Sequence, residues 1–327
     1  MVIKLKVTIL GAGAYGCALA QILNENKNEV TIWTPFESEV KNLIETRTSP
    51  KLPNIKINNN IKITNDLEKA LTKTNLIIIA IPTAFLSSSI KKVKKYYEDT
   101  PICIATKGIE QDTHLFVYDV VKNILKTEKI AVISGPSFAI DIASNYPVGL
   151  TLACQDKETI DITFKALVNN HFKLRKSYDI IGTELCGSVK NIIAIASGIL
   201  AGLGMPESTS AMLITESLHD IKVLIKGLGG DGSTVLSYAG FGDLLLTATS
   251  SKSRNYSFGY LIGSKASKNE IDNYIKNTTI EGLYTLKSIS ELVKNKDVDI
   301  PIINLMEQII YQNKNPEELI NFLIQKP

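Results

Sequence analysis

Residues 6–23 read Lys-Val-Thr-Ile-Leu-Gly-Ala-Gly-Ala-Tyr-Gly-Cys-Ala-Leu-Ala-Gln-Ile-Leu, and this stretch decides the fold. The apolar, β-branched run that ends at Leu10 predicts a strand, and residues 17–23 predict a helix. Between them, Gly11-Ala12-Gly13-Ala14-Tyr15-Gly16 has the spacing G-x-G-x-x-G. In this setting the glycines permit a tight turn, close backbone approach to a pyrophosphate and close helix–strand packing. The stretch therefore predicts a dinucleotide-binding unit rather than a mere turn.

Strands and helices alternate through the rest of the first half. Strands are predicted at residues 4–10, 29–33, 61–64, 76–81, 102–105, 130–134, 148–153 and 172–175. Helices are predicted at residues 14–26, 36–45, 66–72 and 114–126. Such alternation is typical of a doubly wound, mostly parallel α/β sheet.

The pattern changes near Glu184, where convincing strands stop. Residues 187–203 are rich in alanine, glycine and serine, which is typical of a closely packed buried helix. Apolar residues recur at helical spacing over residues 283–293 and 302–310. We therefore predict a Rossmann domain over residues 1–183, followed by an all-α domain over residues 184–327.

Composition narrows the possible functions. The 36 lysines and arginines nearly balance 33 acidic residues, giving a net charge of +3, so nothing favours a nucleic-acid or membrane-surface partner. The densest apolar run, residues 76–81, is too short to span a membrane. The four cysteines are far apart and have no C-x-x-C spacing, which predicts a reduced, cytoplasmic protein without a structural metal.

The choice of dinucleotide depends on the end of the second strand. An acidic residue there favours NAD by binding the ribose hydroxyls, whereas a basic residue favours NADP. The strand ends in Thr34-Pro35, which carry neither charge, and the nearest candidates are Glu37 and Lys41. Either is equally well explained as a solvated helix residue. The sequence leaves the choice between NAD and NADP open.

Three further loops follow predicted strands: Pro82-Thr83, Thr106-Lys107-Gly108 and Gly135-Pro136-Ser137. Open α/β sheets bind ligands at the carboxyl ends of their strands. Each loop alone is explained as a turn. Together, we expect them to surround the position of a nicotinamide.

Two basic residues of the second half are candidates for chemistry. Lys190 is flanked by apolar residues, and burial would make its proton easier to transfer, although a surface lysine is the simpler interpretation. Arg254, one of only three arginines, lies between Ser253 and Asn255. This arrangement fits a phosphate clamp or, equally, a helix-end loop.

Taken in order, these motifs resemble those of the bacterial NAD(P)-dependent glycerol-3-phosphate dehydrogenases. The resemblance rests on residues 11–16, 52–53, 105–110, 134–139, 189–196, 242–245, 253–255 and 281–282. It implies the reversible reduction of dihydroxyacetone phosphate to sn-glycerol 3-phosphate by NADH or NADPH, which supplies phospholipid synthesis. It also implies a cytoplasmic homodimer without a metal ion.

The resemblance further implies roles for individual residues. Lys190 matches the catalytic lysine, which acts as general acid and base. The implied substrate contacts are Lys107, Gly135, Ser137, Lys190, Asp243, Ser253, Arg254 and Asn255. The implied cofactor contacts are Gly11, Gly13, Ala14, Tyr15, Gly16, Lys107, Ala139, Arg254, Thr279 and Glu281. Because these residues come from both halves of the chain, we expect a site at the domain junction.

The sequence departs from the family pattern in three places. Residues 34–36 stand where the family often has an arginine, Glu216 replaces another arginine, and Ala14 replaces a serine. Two other functions remain open. One is a related dehydrogenase of a β-hydroxyacid or ketopantoate, which also uses a helix-borne lysine. The other is a dinucleotide-sensing protein without turnover, although that protein should have lost substrate residues that this chain retains.

Overall fold

The computed structural model describes residues 4–325, so the outermost residues of the two expected domains lie outside the described part. The chain forms two compact units. One runs up to Lys107 and resumes over Leu115–Ile180, and the other combines Gly108–His114 with the chain from Ile181 onward. The sequence did not predict that the segment after Lys107 belongs to the second unit. His114 of this segment contacts helical residues of the same unit, with its Nδ1 3.3 Å from Ser288 Oγ.

The first unit contains the strands and seven helices of the described chain. The strands are β1 (Lys6–Leu10), β2 (Glu29–Trp33), β3 (Thr48–Ser49), β4 (Leu52–Lys56), β5 (Lys62–Thr64), β6 (Leu76–Ile79), β7 (Ile102–Ile104), β8 (Ile130–Ser134), β9 (Val148–Ala153) and β10 (Phe172–Ser177). The helices are α1 (Ala14–Glu25), α2 (Glu37–Thr46), α3 (Leu67–Leu71), α4 (Leu86–Val93), α5 (Val117–Leu125), α6 (Ala139–Ala143) and α7 (Lys157–Leu167).

Eight of the strands form one sheet, in the order β10-β9-β8-β7-β6-β1-β2-β5. Within this sheet, strands β8, β7, β6, β1, β2 and β5 are mutually parallel, β10 is parallel to β9, and only the β8–β9 pair is antiparallel. The prediction of a mostly parallel sheet is therefore confirmed. Strand β2 lies on one side of β1 and β6 on the other, so the strand order reverses at β1. Open parallel sheets bind ligands at this point, beyond the carboxyl ends of the strands, and the loop after β1 lies there.

The sheet core explains why this half of the chain is so rich in isoleucine and valine. All four residues of β6 and all five of β8 are buried. Helices cover both faces of a parallel sheet, so its inner strands are apolar on both sides. The parallel strands β1, β6, β7 and β8 thus end at one edge, and each is followed by one of the loops singled out in the sequence.

The second unit is built from helices. They are α8 (Ile180–Gly202), α9 (Glu207–Gly227), α10 (Asp243–Ala248), α11 (Arg254–Gly263), α12 (Lys268–Asn277), α13 (Glu281–Val293), α14 (Pro301–Tyr311) and α15 (Glu318–Gln325). Pro301 occupies the first turn of α14, as expected from the sequence. The prediction of a helical second half is confirmed.

Helix α8 contains most of the segment 187–203, which the sequence predicts as a closely packed buried helix. With 23 residues and a mean hydropathy of 1.5, it is long and apolar enough to cross a membrane, and 89% of its most apolar window is buried within the protein. No other helix in the described residues meets these criteria. Glu184, Lys190 and Asn191 divide its apolar residues into short runs, so the sequence contains no continuous apolar segment of this length. A buried core helix of a helical unit has the same composition.

Glycines bring α8 and α11 into backbone contact. A Cβ added to Gly259 or Gly263 of α11 would overlap the carbonyl oxygens of α8, at Ile195 and Ile199. Glycine at these positions therefore lets the helix axes approach more closely than larger residues would. Since α8 carries Lys190 and α11 begins at Arg254, this contact fixes where those residues lie relative to each other.

Replacing Gly259 by valine is expected to lower the free energy of unfolding by about 1–3 kcal/mol or more, because the new side chain must push the helices apart. Thermal or urea unfolding measures the loss. Tyr260→Val, which places the same side chain at a half-exposed neighbouring position, is the control and should cost less. Equal losses in the two variants would contradict the close-contact argument.

Candidate functional site

The loop after β1 has the shape of a phosphate cradle. Gly11 has a φ of +120°, and a Cβ there would lie 2.5 Å from the carbonyl oxygen of Ala80, so only glycine fits. A Cβ on Gly16 would overlap the Gly11 carbonyl. These two glycines hold the start of α1 tightly against the ends of β1 and β6.

Gly13 differs from its two neighbours in the motif. It lies directly before α1 with an ordinary extended φ of −68°, and a Cβ there would meet no protein atom within 4 Å. The protein itself therefore gives no reason for glycine at this position. The N–H groups of the first helical turn, beginning at Ala14, lack intrahelical partners and favour an anion. An open, side-chain-free backbone at a helix N-terminus fits a dinucleotide pyrophosphate.

Hydrogen bonds join the neighbouring loops of the first unit. The Tyr15 hydroxyl, on the first turn of α1, shares a 3.0 Å hydrogen bond with Ser137 Oγ, in the loop after β8. Lys107 Nζ, after β7, donates to the Gly135 carbonyl over 3.2 Å, and Thr83 Oγ1 donates to the Lys107 carbonyl over 2.8 Å. The structure thus brings together the loops that the sequence placed at the carboxyl edge. Ala139 begins α6 just after them.

In the second unit, Lys190 is buried, with 8% of its surface exposed. Its Nζ donates to Asp243 Oδ1 over 2.6 Å, and Asp243 is only 1% exposed. The interpretation of Lys190 as a surface lysine is therefore wrong. A lysine in a buried ion pair is held in one position by its partner.

Asp243 reaches Lys190 because of the turn before it. A kinked turn, Tyr238–Gly242, in which the backbone of Gly240 is not helical, leads into α10, which Asp243 begins. Gly240 in that turn is buried, and a Cβ there would overlap the Val235 carbonyl. The glycines before Asp243 thus allow a tight bend that directs its carboxylate to α8.

A network of side-chain amides lies beside this ion pair. Asn255 Nδ2 donates to Asn191 Oδ1 over 2.9 Å, and Asn255 Oδ1 accepts from the Gly282 N–H over 2.9 Å. Asn191 Nδ2 in turn donates to Glu281 Oε2 over 3.2 Å. The network ties α8, α11 and the start of α13 together. Asn191 was not among the predicted site residues, although it is adjacent to Lys190 in the sequence.

Arg254 remains largely accessible beside this network. Its guanidinium lies 3.4 Å from Glu281 Oε1, and about half of its side chain is exposed. Ser253 caps α11 by accepting from the Tyr256 N–H, and Thr279 is exposed two residues before α13. An exposed ion pair at this distance contributes little to stability. The Arg254 guanidinium can therefore bind an anion in place of Glu281.

The end of β2 presents a carboxylate that the sequence reading missed. Glu39, on the first turn of α2, accepts from Thr34 Oγ1 over 2.6 Å and from Lys51 Nζ over 2.7 Å. Burial acts to raise the pKa of Glu39, but the bonds from Lys51 and Thr34 outweigh it and hold that pKa below its ordinary value. Glu37 and Lys41, the candidates from sequence, instead form an exposed ion pair with each other.

Comparison with known families gives matches to both halves of the chain. The family model of the NAD-dependent glycerol-3-phosphate dehydrogenase N-terminus matches residues 6–160. The model of the C-terminus of the same family matches residues 179–321. The two models together extend over almost the whole chain.

Individual relatives are similar over their full length. The glycerol-3-phosphate dehydrogenase [NAD(P)+] of Fusobacterium nucleatum is 34% identical over 323 residues, covering 98% of this chain and 96% of the relative. The Staphylococcus aureus protein of the same name is 34% identical, with 98% of both chains covered. The crystal structure of the Coxiella burnetii glycerol-3-phosphate dehydrogenase matches with a TM-score of 0.90 at 32% identity, over 99% of both chains.

Proposed function

This chain belongs to the NAD-dependent glycerol-3-phosphate dehydrogenase family, and we propose that it reversibly reduces dihydroxyacetone phosphate to sn-glycerol 3-phosphate with NADH or NADPH. The observation that carries the proposal is the buried pair of Lys190 and Asp243, which gives the chain a fixed proton donor. We propose that it works in the cytoplasm as a homodimer and supplies glycerol 3-phosphate for phospholipid synthesis.

The dinucleotide is held first by the glycine loop. The backbone of Gly11, Gly13 and Gly16, with the start of α1 at Ala14, binds the pyrophosphate. When bound, the reduced nicotinamide supplies a hydride to the carbonyl carbon of the substrate. Further contacts are assigned to Tyr15, Lys107, Ala139, Arg254, Thr279 and Glu281.

Lys190 acts as general acid in the reductive direction. Its Nζ gives a proton to the substrate oxygen as the carbonyl carbon is reduced, and it recovers a proton from water afterwards. In the oxidative direction the neutral amine takes the hydroxyl proton instead. Asp243 positions this amine through the 2.6 Å bond. Such general acid–base catalysis typically contributes about 10²–10⁴-fold to the rate.

The substrate phosphate needs charge-assisted donors. Arg254 is suited to this role because its guanidinium is accessible and only weakly paired with Glu281. Ser253 and Asn255 flank it and are fixed by bonds within the second unit, so they define where the guanidinium lies. In the first unit, Lys107, Gly135 and Ser137 are proposed as further substrate contacts, and the Lys107–Gly135 bond holds that loop in place.

Absorbance of the nicotinamide tests the activity directly. Purified protein is mixed with dihydroxyacetone phosphate and either NADH or NADPH, and oxidation is followed at the nicotinamide band. We expect rapid oxidation that depends on the substrate. Ketopantoate and a β-hydroxyacid, the latter with the oxidised cofactor, serve as controls for the related dehydrogenases. Cofactor binding without turnover of any of these substrates would instead support a dinucleotide sensor.

Replacing Arg254 by alanine is expected to raise the KM for dihydroxyacetone phosphate by about 10- to 100-fold, because a hydrogen bond to a charged group is lost. Steady-state kinetics at saturating NADH measures the change. Arg175→Ala removes an exposed arginine of β10 and is the matched control, with no change expected. An unchanged KM in the Arg254 variant would place the substrate phosphate elsewhere.

A further inference from the structure

At the end of β2, the side chains of Thr34, Glu39 and Lys51 form a polar cluster that has no role in the proposed reaction. Thr34 is 1% exposed, and its hydroxyl donates to Glu39 Oε2. Lys51, just before β4, pairs with the other carboxylate oxygen of Glu39. Two independent contacts thus fix a carboxylate that would otherwise move freely on the first turn of α2.

This carboxylate faces a cavity beside the glycine loop. The cavity has a volume of about 230 Å³ and is lined by Ala12 of that loop and by Glu39, Asn42, Ser49 and Lys51, among others. In a dinucleotide-binding unit, the ribose of the adenosine half lies past the end of the second strand, next to the pyrophosphate loop. The cavity lies at that position. Its lining combines apolar residues, among them Leu43 and Pro50, with the hydrogen-bonding side chain of Glu39, which suits the carbon skeleton and hydroxyl groups of a ribose.

We propose that Glu39 selects NADH over NADPH by accepting hydrogen bonds from the hydroxyl groups of that ribose. The proposal rests on the proposed function, because it assigns the cofactor specificity of the same site. It concerns the adenosine end of the cofactor, so it does not depend on the identity of the substrate.

Charge explains the direction of the selection. The extra phosphate of NADPH would place about two negative charges next to the Glu39 carboxylate. Neighbouring like charges repel strongly when they are partly shielded from water. Lys51 carries one positive charge, but its ammonium already forms an ion pair with Glu39. Residues 34–36 provide no arginine to compensate. A neutral ribose hydroxyl, in contrast, gains a charge-assisted bond.

Selection of NADPH over NADH would require the ion pair between Lys51 and Glu39 to break. Its ammonium, with Ser49 and Asn42 nearby, could then contact a phosphate in the same cavity. That arrangement would leave the Glu39 carboxylate beside the phosphate without its lysine. The two arrangements predict opposite cofactor preferences and opposite effects of removing Lys51.

Direct binding of the two cofactors tests the proposal without any turnover. NADH and NADPH are titrated separately into the full-length protein, and nicotinamide fluorescence gives the two Kd values. We expect NADH to bind at least about tenfold more tightly than NADPH. Glu39→Gln should reduce this ratio by about tenfold or more, mainly by strengthening NADPH binding. Glu37→Gln removes an exposed carboxylate two residues away and should leave the ratio unchanged.

Two further variants keep the test decisive. Thr34→Val has nearly the same shape, removes the hydroxyl that positions Glu39, and should lower the ratio even if Glu39→Gln folds poorly. Lys51→Met should not lower it. Tighter binding of NADPH by the unmodified protein would overturn the proposal. So would a selective loss of NADPH binding in Lys51→Met, or an unchanged ratio in folded Glu39→Gln and Thr34→Val.

The outcomes also separate this proposal from the proposed function. Selective NADH binding that depends on Glu39, with no oxidation by dihydroxyacetone phosphate, would support the specificity assignment and contradict only the proposed substrate. Rapid turnover with NADPH preferred would support the function and overturn the assignment. Failure to bind either dinucleotide would overturn both.

Discussion

Replacing Lys190 by alanine is expected to lower kcat by about 10²–10⁴-fold, because the variant lacks the group that gives the substrate oxygen its proton. The binding of NADH should be nearly unchanged, since the glycine loop that holds the pyrophosphate belongs to the other unit of the chain. Steady-state kinetics with dihydroxyacetone phosphate and a separate NADH titration measure the two effects. Turnover close to that of the unmodified protein would remove Lys190 from the mechanism.

The buried ion pair makes a second variant necessary. Alanine at position 190 takes the ammonium away from Asp243, and removing one partner of a buried pair typically costs about 3–5 kcal/mol of unfolding free energy. Lost activity could then reflect lost structure. Lys190→Arg retains a positive charge for Asp243, but a guanidinium does not release its proton at neutral pH. We expect this variant to keep most of its thermal stability while its kcat falls to a similar level.

The fold was largely predictable because the inner strands of its sheet are buried on both faces. Strand β2 was predicted with its observed bounds, and β6 and β8 appear in the sequence as continuous apolar runs. The antiparallel pairing of β8 with β9 was not predictable, because a buried strand has the same composition in either direction. Helix α4 was missed although Leu86, Ile90 and Val93 have helical spacing, because the three serines between them favour turns.

The candidate site was predictable to the level of motifs but not of contacts. The glycine loop could be recognised from its neighbours in the chain, whereas the role of Lys190 was implied only by the resemblance to the family. The pairing of Lys190 with Asp243 joins residues 53 positions apart, and it depends on the tight turn at Gly240, which the sequence alone does not reveal. Likewise, the nearest charged candidates after β2 in the sequence were Glu37 and Lys41, and the sequence did not decide between them. The structure places Glu39 there instead, because Thr34 and Lys51 draw its side chain back toward the strand.

Replacing Gly13 by valine is expected to weaken the binding of NADH by at least about 100-fold, which corresponds to the loss of two hydrogen bonds to a charged group. The physical reason is the open space around this residue. A side chain at position 13 meets no protein atom within 4 Å, so it occupies the volume in front of α1 that the pyrophosphate needs. Its cost to stability should be small, about 1 kcal/mol or less, from a poorer residue before the helix.

Gly16→Val provides the contrast that makes this prediction specific. Its new Cβ overlaps the Gly11 carbonyl, so this variant must displace α1 and should lose about 1–3 kcal/mol of unfolding free energy or more. NADH titration and thermal unfolding of both variants therefore separate two roles of one motif. We expect Gly13→Val to be stable and unable to bind, and Gly16→Val to be unstable. A stable Gly13→Val variant that binds NADH normally would show that the pyrophosphate does not approach the protein at this backbone.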